Sequence, residues 1–511
     1  RNIFGADFNR RRCEETLGRE SLIPTFALKI FQMNSFQRGE TVELLITDYA
    51  FGGKGIAKIP TEEGVYPVFV EHAYPGQKVL ARITAKRKRH AEGNLVKVLE
   101  RAAIEQNLDV QPISGAPYIF VPIEEQQRVK QESTIDVYRK LGGIQNAVDL
   151  FDEYIASPNN YNYRNKMEYS FSCIEHDLET DTEVDGAFAL GFKHRGTWWK
   201  VENLNKESGL FDQEWESKLK DFRMFLFDTG LKAWHPPQKL GFFRHIVVRK
   251  SFHQDQLLVN LVTSSEGIEK FDADEAGDKL KELFGMRIAG FQHTINDNVA
   301  DRAKIENGTW RLVFGDEKVV EELLGLKFEI SMESFFQTNP SCAELLYNKA
   351  MDYVFDNNSL DGKAVMDLFC GTGTIGQILS TRTKNAEIIG VDIVPEAIED
   401  AKRNAIRNNI NNVKFFAADV GKFLKEFPQY AGNISTIVLD PPRAGIAPKT
   451  LQKVIDLQAD RIVYISCNPS TQARDAATLI EQGYTFKKFS LVDQFPHTGH
   501  IEAVAVFEKV Q

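Results

Sequence analysis

The 511 residues predict three structural units that end in a doubly wound α/β domain. Three observations carry that reading. Over 331–511, short apolar runs at 364–369, 387–391, 413–417, 434–439, 461–465, 486–492 and 501–507 alternate with helical patterns that start near Ile375, Pro395, Gly421, Pro448 and Thr471. Continuous apolar strands of this kind are buried on both faces, as in a largely parallel sheet covered by helices. The turn after the first run carries Gly371-Thr372-Gly373-Thr374-Ile375-Gly376, with glycines at the spacing of a ligand-cradling βα turn. Residues 37–101, by contrast, read as short strands separated by glycine turns, the pattern of a small β-barrel.

Composition sets the outer limits. Hydrophobic content of 42% and charged content of 26% are those of an ordinary globular chain. No apolar run approaches the ~20 residues of a membrane span, so no membrane partner is expected. Five cysteines without paired spacing point to a reducing compartment, hence the cytoplasm. A net charge of −10 argues against indiscriminate nucleic-acid binding but leaves room for a local basic surface. The chain begins at Arg1, and its first methionine is Met33. Residues 1–36, with the basic run Arg10-Arg11-Arg12, read as an N-terminal extension, with the natural start expected at Met33.

In chain order, 37–101 should hold five short strands, four of them at 41–46, 65–70, 78–83 and 94–99. Phe51-Gly52-Gly53-Lys54-Gly55 reads as a tight turn. A barrel of this size fits the OB type, which commonly binds oligonucleotides. The unit carries 11 basic against 8 acidic residues, inverting the sign of the whole chain. Lys86, Arg87, Lys88 and Arg89 at one hairpin tip are candidate phosphate ligands. Residues 102–330 predict a mixed α+β unit: a helix over 124–141, a turn at Ser157-Pro158-Asn159-Asn160-Tyr161, and strands at 167–171, 246–249 and 257–262. Trp198-Trp199 and Phe242-Phe243 offer base-stacking surfaces, but a core role outweighs that reading.

The last unit, 331–511, carries the chemistry. Asp392 closes the second strand about 20 residues after the glycine turn, where an acidic side chain accepts ribose hydroxyl bonds. On these residues alone NAD and S-adenosylmethionine both fit. The fourth strand ends in Asp440-Pro441-Pro442-Arg443, a rigid loop that holds a carboxylate over the crevice. Amino-methyltransferases use a related loop with an aromatic residue where Arg443 stands. The fifth strand ends in Ser466-Cys467-Asn468-Pro469, placing Cys467 at a carboxyl end where open α/β sheets bind ligands. A thiolate there is a strong nucleophile. Glu502 enters a buried strand, which is costly unless the carboxylate is paired or used, and is expected to act as a general base. His497 and His500 flank it, but no third donor comes at a spacing that predicts a metal site. Gln337 and Asn339, next to Phe335-Phe336, suit a cofactor wall.

Together these stretches resemble the RNA uracil-5-methyltransferases, which modify tRNA and 23S ribosomal RNA. The matching segments are 334–339, 367–376, 440–445, 464–471 with Arg474-Asp475, and 495–502, in family order. Tyr163-Arg164-Asn165-Lys166 extends the match, as does a barrel whose 48–57, Val68-Phe69-Val70 and Pro75-Gly76 resemble the TRAM domain. The resemblance implies a class I S-adenosylmethionine-dependent fold. Gln337, Phe369, Gly371, Gly373, Thr374, Asp392, Asp419 and Asp440 would line the cofactor site. Cys467 would be the nucleophile and Glu502 the base, with Asp440 beside them. It also implies an RNA partner, with 23S ribosomal RNA favoured over tRNA because of the barrel, and a monomeric enzyme. Many bacterial members hold an iron–sulfur cluster on four cysteines. Here Ser114-Gly115-Ala116-Pro117 stands where two of them would lie, and no cysteine occurs between Cys13 and Cys173, so no cluster is expected. Readings of other classes are an NAD-dependent oxidoreductase and a non-catalytic RNA-binding protein.

Overall fold

A computed structural model of the chain describes residues 36–510 apart from 63, 178–179, 181, 299–307, 359 and 361. The expected extension, except for Phe36, lies outside the described residues, as do Met33 and Arg10-Arg11-Arg12. Among the described residues the chain forms sheets of six, seven, two and eight strands. No helix among them is long and apolar enough to cross a membrane.

The first sheet comprises β1 (Thr41–Leu45), β2 (Asp48–Ala50), β3 (Lys54–Thr61), β4 (Gly64–Glu71), β5 (Lys78–Lys86) and β6 (Ala91–Glu100), in the order β1-β5-β6-β4-β3-β2. Along β5, buried Val79, Ala81 and Ile83 alternate with exposed Arg82, Thr84 and Lys86. This period of two gives the unit a core with Leu44, Ile46, Val68 and Val70. Six strands form instead of the expected five. The glycine turn is also shorter than expected: Lys54 and Gly55 already belong to β3. A Cβ at Gly55 would lie 2.6 Å from the Ile46 side chain and 2.9 Å from the Ala73 carbonyl oxygen, so glycine is there for close packing.

Next come α1 (Ile123–Lys140), close to the helix expected over 124–141, and β7 (Phe151–Ile155), where no strand was expected. Both pack against the last sheet. β7 pairs in parallel with the strand at 484–492, and Tyr138 of α1 packs on Phe489 at 4.4 Å. The middle unit is built on β8 (Lys166–Asp177), β9 (Thr182–Lys193), β10 (Val201–Asn203), β11 (Phe243–Ser251), β12 (Gln256–Thr263), β13 (Ile288–Ile295) and β14 (Thr309–Gly315). Helices α2 (Gln213–Asp228) and α3 (Ala273–Phe284) supply Trp215, Phe222 and Leu280 to its core. Phe242 and Phe243 are buried there as expected. Trp198 is not: it is 53% exposed, on the loop between β9 and β10. A hairpin of β15 (Lys318–Leu323) and β16 (Leu326–Ser331) packs Val319, Leu323 and Phe328 into a core shared with the last unit.

The last unit contains α4 (Pro340–Phe355), β17 (Ala364–Leu368), α5 (Thr374–Arg382), β18 (Ile388–Asp392), α6 (Pro395–Arg407), β19 (Val413–Ala417), α7 (Val420–Glu426), β20 (Ile434–Leu439), α8 (Pro448–Asp456), β21 (Arg461–Ser466), α9 (Pro469–Glu481), β22 (Tyr484–Val492) and β23 (Glu502–Lys509). The sheet order is β19-β18-β17-β20-β21-β23-β22-β7, parallel except for antiparallel β23. Strand order reverses between β17 and β20. In open α/β sheets ligands bind outside the carboxyl ends of the strands at such a reversal.

Candidate active site

One strand register brings the catalytic candidates together. β21 and β23 run antiparallel with Ser466 opposite Ala503, so Cys467, just past the end of β21, lies across from Glu502, the first residue of β23. β20 flanks β21 and ends at Leu439, which puts Asp440 on the same rim. A thiol and two carboxyls thus share one crevice, and each holds its proton tightly. Burial raises Glu502 to about 8, and the charge of Asp440 adds to the effect. Burial raises Asp440 itself to about 7. Cys467 is pushed up to about 11, first by burial and then by Glu502. Arg443 works the other way. Its guanidinium charge lowers both the Cys467 thiol and Glu502.

The loop that carries Arg443 is clamped to α9. Asn468 caps the helix and donates its amide to the Arg443 carbonyl at 3.1 Å. Asp475 accepts from the Ile446 N–H at 3.0 Å and from the Tyr464 hydroxyl at 2.8 Å. Two strand ends and one helix therefore fix the relative positions of Arg443, Cys467 and Asp440.

The second half of the crevice is the β17–α5 turn. Phe369, Gly371 and Gly373 have φ of 64°, 52° and 77°, so the backbone curls before α5 begins at Thr374. Phe369 is the only non-glycine of the three and adopts a conformation a bulky residue rarely takes. A Cβ at Gly373 would come within 2.5 Å of Phe415, whereas the side of Gly371 meets nothing within 4 Å. The turn is packed from below and open above, as a cradle for a ligand requires. Asp392 reaches it from the end of β18, accepting from the Gly371 N–H at 3.0 Å and the Val394 N–H at 2.9 Å. Asp367, fully buried on β17, accepts from Gly376 N–H at 2.8 Å through one oxygen. Its other oxygen has no partner among the described residues. Burial raises this carboxyl to about 8. An orphaned buried acceptor, an open glycine cradle and an acid at the next strand tip fit the polar amine and ribose ends of S-adenosylmethionine.

Gln337 is buried beside Tyr347 of α4. That ring's ionisation is opposed first by burial and then by the charges of Asp440, Glu502 and Asp367, so it lies between the two halves of the crevice. The Gln337 backbone is held by Asn165, which donates to its carbonyl at 3.0 Å. This explains structurally why the Tyr163-Arg164-Asn165-Lys166 stretch is tied to the site. Asp419 sits at the start of α7, caps that helix through Gly421 and Lys422 N–H, and pairs with Lys453 at 2.8 Å. Its bonds are therefore structural ones. Lys86, Arg87, Lys88 and Arg89 are exposed at the β5–β6 hairpin, outside the catalytic crevice.

The loop 493–500, which leads into Glu502, is held from outside its own unit. Lys130 of α1 pairs with Asp493 at 2.7 Å, both fully buried, and donates to the Phe495 carbonyl at 3.1 Å. Gln126 accepts from the His497 N–H at 2.8 Å, and the Tyr163 hydroxyl donates to the Pro496 carbonyl at 2.9 Å. His497 is thus a structural hub, its ring held by burial to a pKa of about 4. Sequence reasoning did not assign Asp367, Tyr347, Lys130 or Gln126, and treated Arg443 only as a departure. Asp367 alone left a local signal, as the acid opening the glycine turn.

Comparison with known proteins accords with this geometry. The family described as tRNA (Uracil-5-)-methyltransferase matches residues 292–510, and the TRAM domain matches 35–96. A chain from Clostridium tetani named an uncharacterized RNA methyltransferase is 36% identical over 476 residues, 92% of this chain and 98% of the relative. One from Chlorobaculum tepidum with the same kind of name is 34% identical over 489 residues, 93% and 98% of the two chains. The crystal structure of Pyrococcus abyssi tRNA (uracil-54, C5)-methyltransferase with S-adenosyl-L-homocysteine shares the fold. Its TM-score is 0.64 at 23% identity, covering 91% of this chain and all of that one.

Proposed function

The chain belongs to the RNA uracil-5-methyltransferases, and we propose that it methylates carbon 5 of a uridine in 23S ribosomal RNA through a covalent bond from Cys467 to carbon 6. The observation that carries this reading is the register placing Cys467 across from Glu502 on the rim of the cofactor crevice.

S-adenosylmethionine, when bound, supplies an electrophilic methyl group. Asp392, Asp367, Gln337 and the Gly371–Gly373 backbone would hold it, with Phe369, Thr374, Asp419 and Asp440 in the surrounding wall. The chain's own residues do the rest. The target base leaves its stack to reach the crevice. Arg443 stabilises the Cys467 thiolate. Its sulfur adds to carbon 6, and the carbon 5–carbon 6 double bond becomes an enolate with negative charge shared by carbon 5. Carbon 5 takes the methyl group. Glu502 then removes the carbon 5 proton, the electron pair re-forms the double bond, and the carbon–sulfur bond breaks to return the thiolate. One hard substitution at an unreactive carbon is replaced by a series of easier steps.

No iron–sulfur cluster enters this proposal. Ser114 is engaged by the Glu202 carboxylate and the Arg195 N–H, and serine is not the usual ligand of such a cluster. The reading places the enzyme in the cytoplasm as a monomer. Its choice of 23S ribosomal RNA rests on the N-terminal barrel. A tRNA substrate is the second reading, favoured by the Pyrococcus tRNA enzyme, whose likeness spans the barrel as well.

Without its base the adduct cannot eliminate. Glu502→Gln is therefore expected to accumulate a protein–RNA band on denaturing gels, only when S-adenosylmethionine is present, and to lower turnover by ~10²–10⁴-fold. Cys467→Ala should form no such band. Full methylation by Cys467→Ala would end the covalent mechanism. Mass-spectrometric mapping of 5-methyluridine in ribosomal and transfer RNA from a deletion strain decides between the two substrates.

A further inference from the structure

Trp198 is a large apolar side chain left outside any core, on a loop that is firmly held. Loop 194–200 is closed by the His194 N–H to Lys200 carbonyl bond at 2.9 Å and by Thr197 N–H to His194 carbonyl at 3.2 Å. Ser172 donates to the Trp199 carbonyl at 2.8 Å, and Arg195 bonds Ser114 twice, at 3.0 Å each. Gly196, with φ of 74°, lies so close to barrel strand β6 that a Cβ there would meet the Asn94 amide at 3.2 Å. Trp199 meets Trp198 edge to face at 5.6 Å and 79°, which fixes the exposed ring without covering it. A rigid exposed aromatic loses little entropy when a second ring stacks on it.

The surroundings are cationic. A cavity of about 180 Å³ opens beside the loop, lined by Arg82, His176, His194, Arg195, Thr197 and Lys200 among others, and no acidic side chain lines it. Lys200 is partly neutralised by Glu183 at 2.6 Å and partly buried Arg195 by the charges of Glu202 and Glu71, so Arg82 carries most of the exposed charge. In one direction the exposed face of β5 leads from Arg82 through Thr84 and Lys86 to the basic hairpin tip. In the other, Arg195 bonds the Ser114 carbonyl, four residues before Tyr118, whose N–H donates to the His497 carbonyl at 3.1 Å, five residues before Glu502. These exposed basic side chains stand out on a chain whose net charge is −10.

We propose that loop 194–200 is a clamp for single-stranded RNA, in which Trp198 stacks a base flanking the target uridine while Arg82 holds an adjoining phosphate. The proposal rests on the RNA-methyltransferase reading for its substrate but concerns a site that does no chemistry.

Binding of a single-stranded oligouridylate of about 12 nucleotides to the full chain tests it. Trp198→Ala should weaken binding about 5- to 100-fold and raise the KM for RNA without changing kcat or S-adenosylhomocysteine affinity. Trp198→Phe should recover most of the loss. Arg82→Ala should lower the slope of log affinity against log salt by about one. Affinity of Trp198→Ala within twofold of the parent overturns the proposal, as does an equal loss for heparin, which has charge but no bases. Should Trp198→Ala misfold, photo-crosslinking of a 5-bromouridine oligomer to the unaltered chain replaces it. A crosslinked peptide containing Trp198 supports the clamp, and crosslinks confined to other peptides overturn it. A chain that binds RNA through Trp198 yet makes no 5-methyluridine would instead fail the catalytic reading.

Discussion

Cys467 and Glu502 face each other, yet in the free enzyme neither is in its reactive form near neutrality. The carboxyl is held to about 8 by burial and then by the charge of Asp440, and the thiol to about 11 by burial and then by Glu502. Between its ordinary value of 4.5 and about 8, Glu502 is protonated in the folded chain and ionised in the unfolded one. The folded state then binds the extra proton, so stability falls as pH rises across that window. Under the proposed mechanism activity moves the opposite way, because only an ionised Glu502 would take the carbon 5 proton. Glu502→Gln should therefore match the parent in thermal unfolding at about pH 4 and exceed it by about 2–4 °C at about pH 9. Parental kcat should climb as pH approaches about 8. Thermal scans and a pH–rate profile check both arms, and a variant less stable than the parent at about pH 9 would show that Glu502 is ionised and paired. Both residues were legible in the sequence, because an acid opening an apolar strand and a cysteine closing one are local anomalies. Arg443 was visible but its role was not. Its partners stand 24 and 59 residues later in the chain, and only the β20–β21–β23 arrangement brings them to it.

At the scale of elements, legibility followed burial. Strands β17, β18, β20 and β21 were found within a residue or two, since a parallel strand covered on both faces is an uninterrupted apolar run. β7 escaped because Phe151–Ile155 is a half-exposed edge strand carrying Asp152 and Glu153, with no apolar run to betray it. Helix α1 was found, but its destination was not. Its ties to the catalytic loop, Lys130 to Asp493 and Gln126 to His497, join residues more than 360 apart in sequence. Removing one member of a fully buried ion pair strands the other charge, which costs ~3–5 kcal/mol. Lys130→Met should lose about that much by denaturant unfolding and lose RNA methylation as loop 493–500 loosens. Lys130→Met with Asp493→Leu should regain most of the stability. A single variant as stable as the parent would mean that Asp493 takes up a proton at little cost and that the pair does not hold the loop.

Across the whole molecule, the barrel is part of the catalytic unit as well as an appendage to it. Phe51, at the tip of its glycine turn, packs against the core of the C-terminal sheet. Beside it Gly53 lies against Gly499, three residues before Glu502. A Cβ on Gly499 would come within 2.5 Å of the Gly53 Cα, and one on Gly53 within 3.4 Å of the Gly499 Cα. Two backbones meet there without side chains, so the distance between barrel and catalytic loop is set by the absence of two methyl groups. Gly499→Val should push the units apart and shift Glu502 from its place opposite Cys467. A displacement near 1 Å is enough to cost ~10²-fold in turnover. The cofactor cradle lies on the other side of the catalytic strands, at β17 and β18, anchored by Asp367 and Asp392. S-adenosylhomocysteine affinity should therefore stay within about twofold of the parent while RNA methylation falls about a hundredfold. Equilibrium dialysis and a methyl-transfer assay on the same preparation separate the two. Parallel loss of both would mean that the barrel supports the fold as a whole and has no particular hold on the catalytic loop.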